Sequence, residues 1–192
     1  YDQFGHVVSL SYDGSTLAIG AGGRPASYVK VYKLQVNVLQ WHALAKISEP
    51  SVTKLTQNAG PNIVVSPDGN RVAVITGSLR IFEVSSNGWS QFGGSDLSSG
   101  GNSGSIQEQY GSSASFSEDG SIVSFAGGGG GSCWLKVFRY DGDGWVQKGS
   151  TVTASKTGYY CGTTLGRLSN DGLSIAVRHT WSGMDPDDYT YP

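Results

Sequence analysis

Three six-residue runs set the rhythm of the chain: Val29-Lys30-Val31-Tyr32-Lys33-Leu34, Leu79-Arg80-Ile81-Phe82-Glu83-Val84 and Leu135-Lys136-Val137-Phe138-Arg139-Tyr140. Apolar and charged side chains alternate in each, which is the mark of a strand with one buried face. Ahead of each run lies an apolar-small-apolar triplet: Leu17-Ala18-Ile19, Val72-Ala73-Val74 and Val123-Ser124-Phe125. A fourth, Ile175-Ala176-Val177, has no alternating run after it. Every triplet follows a Ser-Xaa-Asp-Gly tetrapeptide after two variable residues: Asp13-Gly14, Asp68-Gly69, Asp119-Gly120 and Asp171-Gly172. Short apolar stretches precede the tetrapeptides, predicting strands over Phe4–Leu10, Asn62–Val65, Ser112–Phe116 and Thr164–Leu168. A last strand opens at a tryptophan in three copies, at Trp41, Trp89 and Trp145. The first of these, within Val38–Ile47, also has helix-like apolar spacing, and the repeat register decides for a strand.

Self-similarity at a period of roughly 50 residues fixes the architecture before any local reading does. The copies run over about 4–58, 59–109, 110–160 and an incomplete 161–192, making one body of about three and a half units. Asp-Gly predicts a two-residue hairpin turn, since glycine takes the left-handed conformation without a Cβ clash. The glycine after an aromatic or small residue at the first strands, in Phe4-Gly5, Ala59-Gly60 and Tyr110-Gly111, suits positive φ or a close backbone approach. A tryptophan at a fixed place in each copy suits packing between copies. Gly20–Ser27, Ser48–Ala59, Ser95–Gln109, Ala126–Ser132 with its five consecutive glycines, Ser150–Cys161 and Thr180–Tyr189 are predicted as long loops. In an up-and-down sheet these would share one rim, opposite the tight turns.

Four antiparallel strands per copy resembles a β-propeller blade. The pattern Phe-Gly, Ser-Xaa-Asp-Gly-Xaa-Xaa-Leu-Ala-Ile-Gly, Val-Lys-Val-Tyr and Trp-Xaa-Gln-Xaa-Gly is similar to the FG-GAP-like propeller repeats of surface proteins. The Ser-Pro-Asp-Gly hairpin is also similar to that of WD40-like and TolB-like blades. The resemblance implies an all-β fold, part of a larger propeller, and a role at the cell surface. Its integrin-type version carries a calcium loop with several Asp. Here Asp141 and Asp143 supply only two carboxylates, against the six to eight oxygens calcium usually takes, so a plain turn is the expectation and no cofactor is implied.

Charged residues make up 15 % of the chain, and the net charge is −2 with a pI near 5.9. Nucleic acid as a partner would need clustered Lys and Arg, and no apolar run approaches the roughly 20 residues of a membrane span. The chain begins at Tyr1 and shows no signal-peptide pattern, as expected of a processed product or part of a longer one. Two cysteines, Cys133 and Cys161, end long loops of neighbouring copies. They would form one disulfide or remain two buried thiols. Paired Cys, few Lys and many Ser and Gly lean towards an extracellular or cell-surface protein.

The candidate chemistry is sparse. His6, His42 and His179 fall in three separate strand contexts, and no nucleophile elbow or metal-spaced His pair is present. Asp185 and Asp187 form a local acidic cluster suited to solvent more than to a cation. Tyr159, Tyr160, Trp181 and Tyr189 lie in or near predicted long loops, where rings can stack on sugars or anchor a protein contact. The expected function is therefore a non-enzymatic structural or adhesive module, with other chains or further blades as partners. A lectin-like propeller using those aromatics is the alternative, and a glycosidase a more distant one.

Overall fold

The computed structural model describes residues 3–22, 28–47, 62–75, 78–85, 88–97, 113–129, 132–155 and 159–183. Among them there is no helix, and so none long and apolar enough to cross a membrane. The strands form consecutive antiparallel blades. Blade 1 is β1 (Phe4–Leu10), β2 (Thr16–Ala21), β3 (Tyr28–Gln35) and β4 (Gln40–Ile47). Blade 2 is β5 (Asn62–Val65), β6 (Arg71–Ile75), β7 (Leu79–Ser85) and β8 (Gly88–Gln91). Blade 3 is β9 (Ser113–Phe116), β10 (Ile122–Gly129), β11 (Ser132–Tyr140), β12 (Trp145–Gln147) and β13 (Val152–Ser155). Blade 4 comprises β14 (Tyr159–Leu168) and β15 (Ile175–Gly183) among the described residues.

Blades stack because their middle strands are apolar on both faces. In β6, Val72 and Val74 point to blade 1 and Ala73 and Ile75 to blade 3, so the strand reads as a continuous apolar run. One buried cluster joins Ala18, Val29, Val31 and Ile47 of blade 1 to Ile63, Val65, Val72, Val74 and Phe82 of blade 2. A second joins Ala73, Ile75, Leu79 and Ile81 of blade 2 to Phe116, Val123, Phe125 and Phe138 of blade 3. The tryptophans occupy one register position: Trp41 lies opposite Leu34, Trp89 opposite Val84 and Trp145 opposite Tyr140. Trp89 packs on the first cluster and Trp145 on the second, each against the blade before its own.

The Asp-Gly turns are longer than the two-residue hairpin that the dipeptide predicts. Ser11 N–H bonds Thr16 O, leaving a four-residue loop, Tyr12–Ser15, between them. The serine of the tetrapeptide explains the difference. Its hydroxyl donates to the aspartate (Ser11 to Asp13, 2.6 Å) and accepts the N–H five residues on (Thr16, 2.9 Å). The aspartate in turn accepts the Ser15 N–H at 2.9 Å. The same three bonds recur around Ser66, Ser117 and Ser169. Each turn glycine has φ between 66° and 71°, so the left-handed reading of that position holds. Gly5, at φ 92° with open space around it, serves the backbone conformation and not a close approach.

Four predicted loops are strands in part, Gly20–Ser27 through Gly20 and Ala21 of β2. Ala126–Ser132 lies mostly in β10 and β11, where Gly127 pairs Trp134 and Gly128 pairs Cys133. The glycines are there for room: a Cβ on Gly127 would sit 2.7 Å from the Trp134 ring. Ser150–Cys161 contains β13, which pairs β11, and the start of β14. Thr180 and Trp181 belong to β15 and not to a loop. The outermost strand is irregular at one place in each of blades 1 to 3. In blade 1 the register slips between Val31 and Tyr32; in blade 2 the chain leaves β8 and returns at Leu97 to bridge Leu79. In blade 3 the break separates β12 from β13. The glutamine of Trp-Xaa-Gln caps it: Gln91 Nε2 donates to Gly94 O (2.8 Å) and Gln147 Nε2 to Gly149 O (3.0 Å).

Candidate interaction faces

The blades leave two rims and two lateral faces. On the rim of the tight turns, each turn clips onto the next. Tyr12 N–H bonds Pro67 O, Thr16 Oγ1 donates to Gly69 O, Arg71 Nη1 donates to Gly120 O and Glu118 N–H bonds Asn170 O. Side chains of one blade cover the turn glycine of the following one. Thr16 lies on Gly69, Arg71 on Gly120 and Ile122 on Gly172, whereas Gly14 in blade 1 has nothing within 4 Å of where a Cβ would be. Asp13 is held ionised down to a pKa of about 2, first by the Ser11 hydroxyl and then by the Ser15 N–H. Asp119 and Asp171 are lowered by the same arrangement, with the Ser117 and Ser169 hydroxyls as the main cause.

On the opposite rim, Cys133 of β11 and Cys161 of β14 form a disulfide with Cα atoms 5.4 Å apart, tying blade 3 to blade 4. Gly128 gives it space, since a Cβ there would meet Cys161 Sγ. Trp181 pairs Cys161 and is half-buried, while Tyr160 pairs Ser182 and Tyr159 pairs Gly183. These three candidate aromatics are thus carried by one hairpin beside the disulfide. Tyr189, Asp185 and Asp187 lie outside the described residues. Asp141 Oδ1 accepts the N–H groups of Asp143 and Gly144, so it closes its turn, and that pairing lowers its pKa. Among the described residues no three His, Cys, Asp or Glu side chains converge as metal ligands. His6 and His42 are exposed on β1 and β4, and His179 is half-buried on β15.

The lateral face of blade 1 is the least expected feature. Val8 and Leu10 are 57 % and 53 % exposed and Trp41 42 %, although Ile63, Val65 and Phe116, at matching positions in blades 2 and 3, are each 5 % exposed. Repeat alignment holds the signal for this, since the residues are apolar in the first three copies, but the sequence does not mark which copy lacks a neighbour. Beside them Lys46 Nζ stands 4.3 Å from the Tyr28 ring and Lys30 Nζ 5.3 Å from the Phe4 ring. The outer face of blade 4 differs in kind, with exposed Leu165, Arg167, Ala176 and Arg178.

No protein-family profile matches the chain, and neither does any curated protein. Solved structures do. A protein from Lactobacillus plantarum is 19 % identical with a TM-score of 0.55, covering 91 % of this chain and 50 % of its own. Kuenenia stuttgartiensis hydrazine synthase is 14 % identical with a TM-score of 0.52, covering 90 % and 42 %. TolB from Acinetobacter baumannii is 17 % identical with a TM-score of 0.48, covering 90 % and 37 %. The chain therefore spans half or less of the length of these structures. At such identities the likeness to the first two is one of fold, and the fold is an all-β propeller of four-stranded blades.

Proposed function

We propose that the chain is a non-enzymatic, FG-GAP-like propeller module of an extracellular or cell-surface assembly, working by contact with other folded protein. The observation that carries this is the apolar lateral face of blade 1, whose matching positions elsewhere are buried protein-to-protein seams. Exposed apolar patches of this kind mark interaction sites. The disulfide supports the compartment, because such bonds persist in oxidising surroundings and are rare in the cytosol. Size-exclusion chromatography with light scattering on the 192-residue chain tests the reading. Association that rises with protein concentration is expected. A monomer at every concentration would overturn it.

A further inference from the structure

The assembly reading leaves the partner of blade 1 undefined, and the repeat itself supplies it. We propose that the lateral face of blade 1 receives one further blade of the same Ser-Xaa-Asp-Gly repeat, seated as blade 2 sits on blade 3. The proposal deepens the assembly reading by naming what covers its lateral face.

Two separate features of blade 1 have the shape of half an interface. The first is the apolar set Val8, Leu10 and Trp41. In blades 2 and 3 the same positions meet a particular kind of surface: an alanine on a middle strand, β-branched or Leu residues on the next and, in blade 3, a glycine under the tryptophan. Blade 2 offers blade 3 Ala73, Ile75, Leu79 and Ile81, and Gly93 lies so close to the Trp145 ring that a Cβ would fall 2.3 Å from it. The second is the uncovered turn at Gly14. Its counterparts Gly69 and Gly120 accept hydrogen bonds through their carbonyls from Thr16 and Arg71 of the blade before, at 3.0 and 2.6 Å. The core positions and the rim position lie at different places on blade 1, and both lack the same neighbour.

The outer face of blade 4 does not match this requirement. Where Ser9 and Ser115 accept the N–H groups of Val65 and Leu168 across a seam, blade 4 has Arg167. Opposite the level of Ala126 it has Arg178. A second copy joined head to tail would set those arginines against Lys30 and Lys46, a like-charge contact that costs free energy. The occupant is thus a blade with small residues on its facing side, not blade 4 of another molecule.

The test adds such a blade. A second copy of residues 59–109 is placed ahead of Phe4, so that its end joins blade 1 as residue 109 joins Tyr110. Trp41 is read by difference against Trp41→Phe in each background. The expected result is a shift of Trp41 emission to shorter wavelength, loss of its quenching by acrylamide, and loss of the association seen with the 192-residue chain. Val8→Asp with Leu10→Asp should cancel the shielding in the extended protein and leave the melting temperature of the 192-residue chain unchanged. Trp41 as quenchable in the extended protein as before would overturn the proposal, whether or not the chain associates. A monomeric 192-residue chain with Trp41 shielded by the added blade would remove the assembly reading and keep this one.

Discussion

The seam between blades 2 and 3 and the seam between blades 3 and 4 use the same strand positions and different forces. Across the first, Phe116, Val123, Phe125 and Phe138 fill a cluster with Ile75, Leu79 and Ile81, and the rings of Phe92, Tyr140 and Trp145 close its outer end, with Phe92 and Tyr140 centroids 4.4 Å apart. Across the second, blade 4 presents glycines to the side chains of blade 3, with Gly172 under Ile122. Gly166 lies against Leu135, and its N–H and that of Leu168 are taken by the hydroxyls of Ser113 and Ser115 at 3.1 and 3.2 Å. The disulfide completes it. One repeat geometry therefore accepts either bulk apolar burial or a covalent clip with local hydrogen bonds, because the turn rim fixes the spacing of the blades independently of what lies between them.

The sharpest way to break the contrast is Phe125→Ala. The ring is fully buried and stands edge-on to Trp134 at 4.9 Å, so the loss should be about 3–5 kcal/mol in a denaturant titration. A loss below 1 kcal/mol would mean the apolar seam is not where that stability resides. Next comes removal of the clip by Cys133→Ala with Cys161→Ala, closing a separation of 28 residues, expected to cost about 2–4 kcal/mol. Hydrogen exchange should speed up in β14 and β15 and stay slow in β6. Equal loss of protection in both would show that the seams do not act separately.

Gly128→Ala sharpens the same point. Its Cβ would clash with Cys161 Sγ, giving a cost of about 1–3 kcal/mol when the disulfide is present. The cost should shrink once Cys161 is alanine, and a double-mutant cycle with no coupling would contradict the assigned contact. Ser115→Ala, which leaves the Leu168 N–H without its acceptor, should cost about 1 kcal/mol. The smallest effect belongs to Asp13, at a turn remote from both seams. Its pKa is depressed to about 2 from 3.8, so its contribution is complete above the unfolded value and lost as pH falls towards about 2. Asp13→Asn should therefore be less stable than the native chain at pH 7 and converge with it in strong acid. A gap that stays constant down to pH 2 would rule out the carboxylate as the cause.

Much of this architecture is legible in the sequence. The first strands of blades 1 and 2 fall where the apolar stretches place them, and the alternating runs become β3, β7 and β11. Legibility fails where a residue acts through a neighbour distant in sequence. Glycines in a row read as a loop until Trp134 and Cys161 are seen to occupy the space above them. Ser150–Cys161 reads as a loop because β13 is short and held only through its pairing with β11. The serine of each tetrapeptide, buried in the first three, is visible as a repeat, but its double role as donor and acceptor depends on backbone geometry that composition does not carry. Tyr159, Tyr160 and Trp181 read as loop residues from the spacing of the repeat, whereas they belong to a long hairpin.

The interrupted outer strands have a consequence for life at high concentration. A straight, unbroken border strand is a template on which another molecule can add its own backbone, and that addition can continue into fibres. Here the ladder is cut between Gln91 and Leu97 and again between Gln147 and Val152. On blades 2 and 3 a stranger's chain finds too few consecutive open groups to hold. Many copies can then stand side by side, free to meet only through the surfaces that suit them.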